Sequence, residues 1–113
     1  IAPELLRRRR HLFRRAHLIP AVEYINANRV RTLAMRAWDE VMQAVDVIVA
    51  PTNSTQLVAT NLTGHPAVIL PHGFRADGTP VSLTFLGRLF GEEPMLRAAH
   101  HFQRATDHHL KHP

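Results

Sequence analysis

The stretch Asn61-Leu62-Thr63-Gly64-His65-Pro66-Ala67-Val68-Ile69-Leu70-Pro71-His72-Gly73-Phe74 and its continuation Gly78-Thr79-Pro80-Val81-Ser82-Leu83-Thr84-Phe85-Leu86-Gly87 restrict the fold more than any other part of the chain. Two apolar runs are punctuated by Gly and Pro, with an Asp77-Gly78 turn between them, which reads as a strand, a loop and a second strand. Ala67 to Leu70 are all apolar, as in a strand covered on both faces, and this predicts a central place in an α/β sheet. In the second run Val81, Leu83 and Phe85 alternate with Ser82 and Thr84, which predicts a half-buried strand nearer an edge. The polar residues Asn61 to His65 lead into the first strand, where a site would be built.

Pro3 suits the first turn of a helix, and Leu5, Leu12, Phe13 and Ala16 fall on one face, so a helix is expected from about Pro3 to His17. Pro20 resets the pattern. Val22, Tyr24, Ile25, Val30, Leu33, Ala34, Ala37, Trp38, Val41 and Val45 then recur mostly at helical spacing, with no Gly or Pro between Ala21 and Val45. This predicts a long helix whose apolar stripe packs and whose Asn26, Arg29, Arg36, Asp39, Glu40 and Gln43 face water. Asp46 to Pro51 is a short β-branched strand. Asn53 to Gln56 reads as loop, and Leu57-Val58-Ala59 fits either a short helix or an extended segment. Gly91-Glu92-Glu93-Pro94 opens a last helix, to about His108, with Met95, Ala98, Ala99, Phe102 and Ala105 as its stripe. The expected order is helix, helix, strand, strand, strand, helix: an α/β arrangement in a single unit, residues 1–113.

No apolar run approaches the roughly 20 residues needed to span a bilayer, so the expectation is a soluble, cytoplasmic chain that does not engage membrane. Cysteine is absent, which excludes thiolate metal sites and cysteine nucleophiles. The net charge of +5 gathers at the front, in Arg7, Arg8, Arg9, Arg10, Arg14 and Arg15. A basic helix of this kind can bind nucleic acid or an acidic partner, and that is the alternative reading of function. Against nucleic acid, no aromatic residues interleave the arginines and no recognition motif follows.

His108 and His112 lie four apart, a spacing that could place two imidazoles on one helical face. No third ligand accompanies them, because Asp107 points about 100° away from His108 on a helix, and neither a metal nor a cofactor is expected. The only serines are Ser54 and Ser82, and the only lysine is Lys111 in the tail. Neither serine lies in a Gly-flanked turn, so a serine hydrolase centre is not expected within the chain.

Four motifs in order carry a further signal: Tyr24 to Thr32, Val45 to Thr52, Asn61 to Pro71 and Gly78 to Arg88. Together, from about Ala21 to His109, the chain resembles the C-terminal part of the amidase signature family. The resemblance implies the C-terminal portion of an α/β/α sandwich with a mixed sheet. It also implies hydrolysis of a small-molecule amide by a Ser-Ser-Lys mechanism whose triad lies in the family's N-terminal half, outside this chain. The segment would then be inactive alone, would have the remainder of the parent amidase as its partner, and would self-associate through exposed strand edges or apolar helix faces. Members that use glutamine carry an acidic residue before the Asn-Leu-x-Gly-x-Pro motif, whereas Asn53 to Thr60 contain none. Ser54, Gln56, Asn61 and Thr63 are the expected substrate-binding residues; for Asn61 and Thr63 a backbone-capping role competes.

Overall fold

The computed structural model describes residues 11–52 and 54–111. Most of the expected first helix, Arg7 to Arg10, Asn53 and His112 lie outside the described residues; within them, residues 11–16 are helical. The chain divides into two compact units, Ile1–Arg31 and Thr32–Pro113. In the first, Pro20 ends the preceding turn, and its carbonyl accepts from the Glu23 and Tyr24 amides at 3.0 and 3.1 Å. This starts helix α1, Ala21–Gln43.

The second unit holds the end of α1, then β1 (Val47–Pro51), α2 (Thr55–Thr63), β2 (Ala67–Phe74), β3 (Pro80–Gly87), α3 (Glu92–Ala105) and a 3-10 turn, His108–Leu110. The chain is α/β as expected, with two departures. A helix, α2, starts inside the expected loop, at Thr55, and takes the helical alternative at Leu57-Val58-Ala59. The sheet is antiparallel throughout rather than mixed, in the order β1-β3-β2. The short turn at Asp77-Gly78 enforces this for β2 and β3: the Arg75 amide donates to Thr79 O at 2.9 Å, the Gly78 amide to Arg75 O at 3.0 Å, and Gly78 has φ +80°. β1 then pairs with the free edge of β3, Val49 opposite Phe85.

The order reverses the expected positions of the two later strands: β3 is central and β2 is an edge. Pro71 inside β2 has no amide hydrogen for a second neighbour, and the register is interrupted between Pro71 and Gly73. On β3, Thr84 and Leu86 point to one face and Phe85 to the other, and all three are buried. The central strand is therefore covered on both sides. On the Phe85 face, Met95 and Ala99 of α3 complete the core, with Val47, Val68, Leu70, Leu83, Ala98 and Phe102 packed around it. Ala105, also expected in that stripe, is exposed.

The long helix corrects its expected stripe as well. Met42 is its one buried side chain, with Ala34, Met35 and Trp38 half-buried, whereas Val22, Tyr24, Ile25, Val30, Leu33 and Val41 stay exposed. Beyond its last turn, which has no basic residue, the Arg88 guanidinium reaches the Val45 carbonyl at 3.2 Å and Asp46 at 3.2 Å. A cation there suits the negative end of the helix dipole.

Candidate functional site

The motif Asn61 to Pro66 is the end of α2 and its exit into β2. Gly64 takes φ +85°, ψ 14°, the left-handed conformation that ends a helix, and its amide donates to Thr60 O at 2.8 Å. Glycine adopts this without the steric cost that a Cβ imposes. The Pro66 carbonyl then accepts from the Gly87 amide at 3.0 Å and ties the exit to the central strand. Asn61 and Thr63 are thus helical, and His65 lies just past the helix end.

The four expected site residues fall at two places. Ser54 is the N-cap residue of α2: its hydroxyl lies 2.8 Å from the Pro51 carbonyl and also meets Gln56 Oε1, while Gln56 Nε2 donates to the same carbonyl at 2.8 Å. One hydroxyl proton serves one acceptor at a time. Asn61 and Thr63 sit seven and nine residues further on, roughly 10 to 14 Å along the axis at 1.5 Å per residue. Asn61 is exposed. Thr63 is buried, its Oγ1 3.0 Å from Ala59 O and 2.8 Å from His65 Nδ1. The structure brings Ser54 and Gln56 together and leaves Asn61 and Thr63 apart from them.

His65 escaped the sequence reading. It is 6% exposed, its ring centroid lies 5.9 Å from that of Trp38, and its Nε2 has no partner among the described residues. Burial pushes its pKa below 6.5, against a smaller opposing pull from Asp39. If Thr63 donates to Ala59 O, Nδ1 carries the ring proton and donates to Thr63 Oγ1; the reverse assignment puts the proton on Nε2. Only its place between Gly64 and Pro66 distinguished it in the sequence.

Lys111 pairs with Asp107 at 2.8 Å, an interaction that lowers the Asp107 pKa. Ser54 occupies the N-cap position of α2 and Ser82 lies in β3, so no serine–lysine pair forms among the described residues. The helical spacing imagined for His108 does not hold, because α3 ends at Ala105 and His108 begins a 3-10 turn. His108 instead packs against His72 at 5.3 Å and Phe102 at 6.3 Å. Among the described residues no three His, Cys, Asp or Glu gather as a metal set, and no helix is long and apolar enough to cross a membrane.

An α/β unit with helices on an antiparallel sheet that carries the four ordered motifs defines a relative of amidase-type proteins. Comparison with known proteins specifies which. Over 110 aligned residues the chain is 32% identical to the A subunit of glutamyl-tRNA(Gln) amidotransferase from Oceanobacillus iheyensis, covering 80% of this chain and 22% of that protein. The same subunit from Geobacillus thermodenitrificans is 36% identical, with 80% and 22% covered, and that from Methanosarcina mazei 34%, with 80% and 23%. The chain is thus a distant homologue of that subunit, a member of the amidase signature family. It spans about a fifth of the length of these curated relatives. No family model matches the chain.

Proposed function

We propose that the chain is the C-terminal structural and pocket-forming segment of a cytoplasmic amidase, with the Ser-Ser-Lys triad on the remainder of the parent polypeptide. The homology over 80% of the chain to an amidotransferase subunit carries this reading. Two features support it. The only lysine is ion-paired in the C-terminal turn, far in sequence from both serines. The outer face of α1 is apolar and exposed, Leu33 by 63% and Val41 by 55%, as suits a surface on which more of the same fold packs.

In this reading β1–β3 with α2 form one wall of a pocket for a small amide. Ser54, Gln56 and Asn61 present polar groups to it, and Thr63 holds the wall's shape through His65. Without an acid among Asn53 to Thr60, the substrate is an amide other than glutamine. The test is ammonia release from small primary amides by the full-length polypeptide that carries this segment. Release is expected from amides without an α-amine, and failure across such a panel removes the amidase reading.

A further inference from the structure

We infer that the cleft where β1 ends and β3 begins binds a small oxyanion, a carboxylate or phosphate group. Pro51, Thr52, Arg75, Pro80, Val81 and Ser82 line it, and its volume is about 130 Å³. That is room for about four water molecules at roughly 30 Å³ each, enough for one oxyanionic group.

The groups around the cleft are donors. Arg75 makes no ion pair among the described residues. Asp77, the nearest acid in sequence, accepts instead from the Thr79 amide at 2.9 Å, which holds its pKa low. The Arg75 backbone is fixed at both its amide and its carbonyl by the turn, so the guanidinium starts from a defined base. Ser82 is half-buried, and its hydroxyl has no partner among the described residues. Thr52 Oγ1 lies 3.0 Å from Thr84 Oγ1. Either hydroxyl can donate in this pair; with the fully buried Thr84 donating to Thr52, the Thr52 proton is free for the cleft.

The Pro51 carbonyl is already engaged by Ser54 and Gln56, and Pro80 adds a rigid wall with no amide hydrogen. A guanidinium fork with two hydroxyls suits an oxyanion in charge and in hydrogen-bonding chemistry. The site stands independently of the amidase reading, because it uses only side chains of this unit.

The experiment is a 15N NMR titration of the 113-residue chain with sodium acetate and, separately, inorganic phosphate, at ionic strength matched with chloride. Saturable shifts at the Thr52, Val81 and Ser82 amides are expected, with affinity weakened at least tenfold in Arg75→Gln and less in Arg75→Lys. Tighter acetate binding assigns a carboxylate, and tighter phosphate binding a phosphate. Shifts that never saturate, or that are unchanged in Arg75→Gln, overturn the inference. No amide hydrolysis enters the measurement, so its failure leaves the amidase reading intact, and the converse holds.

Discussion

Replacing Thr63 by valine keeps the branched shape and removes one hydroxyl. That hydroxyl is the partner of His65 Nδ1 at 2.8 Å, and Thr63 and His65 are 1% and 6% exposed. Water cannot take its place without opening the unit, so both ring nitrogens of a buried imidazole are left unpaired. The expected loss is about 1–3 kcal/mol, the cost of one buried polar group left unsatisfied. Against the roughly 5–15 kcal/mol that holds an ordinary domain together, this shifts a urea midpoint measurably. The assay is urea unfolding followed by circular dichroism near pH 7.5 for the parent chain, Thr63→Val, His65→Phe and the double variant. Once the imidazole is gone the hydroxyl matters less, so the double variant should lose about 1 kcal/mol less than the two single losses added together. A Thr63→Val loss within about 0.5 kcal/mol, or strict additivity, refutes the pairing argument.

Three further outcomes follow from the same geometry. His65 has a folded-state pKa below its ordinary 6.5, so above that value neither state binds the proton; as pH falls below it the unfolded chain protonates first. Stability therefore declines from about pH 6.5 down to the folded pKa and then levels, and urea midpoints across pH 7.5 to 4.5 should lose that component in His65→Phe. Gly87→Ala places a Cβ 2.9 Å from the Gly91 carbonyl oxygen and 3.1 Å from Met95 Cβ, and thermal unfolding should show a loss of about 1–3 kcal/mol, because a backbone oxygen yields little. Leu33→Gln should leave the isolated chain within about 0.5 kcal/mol of its parent, but cost the full-length protein on the order of 1 kcal/mol, if that 63% exposed side chain is covered there; equal effects in both would remove the covered-face argument.

Most elements were legible where local chemistry and tertiary packing agree. Pro20, the uninterrupted run after it and the Asp77-Gly78 turn set boundaries that the structure reproduces to within a few residues. The misplacements arose where the sequence pattern depends on what lies outside it. Ala67 to Leu70 look doubly covered, yet Ile69 is half exposed, because an apolar run records burial without saying which chain provides the cover. Pro71 was the available signal that β2 is an edge, and the confinement of proline to the first residue of β3, Pro80, the corresponding signal for the centre. The helix at Thr55–Thr63 was legible only as one alternative at Leu57 to Ala59, because its three threonines and one asparagine are residues of modest helix propensity. Two of those threonines recover hydrogen bonds by bonding back to carbonyls four residues earlier, Thr60 to Gln56 and Thr63 to Ala59.

Of the expected site residues, Thr63 takes the backbone-bonding role weighed for it before β2, and the pairing of Ser54 with Gln56 depends on the helix start. The burial of His65 depends on Trp38, 27 residues away in sequence. The cleft at Thr52, Arg75 and Ser82 needs strand pairing to exist at all, since the Thr52 amide meets the Ser82 carbonyl across 30 positions. No spacing rule along one segment anticipates such a contact.

The central claim, that this chain completes an amidase without catalysing, is tested most directly by ammonia release from small primary amides with the purified 113-residue chain alone. Its only serines and lysine are Ser54, Ser82 and Lys111, and the structure keeps Lys111 on Asp107, so the account predicts release no faster than in protein-free buffer. Turnover that copurifies with the chain and disappears in Ser54→Ala, Ser82→Ala or Lys111→Ala would contradict it.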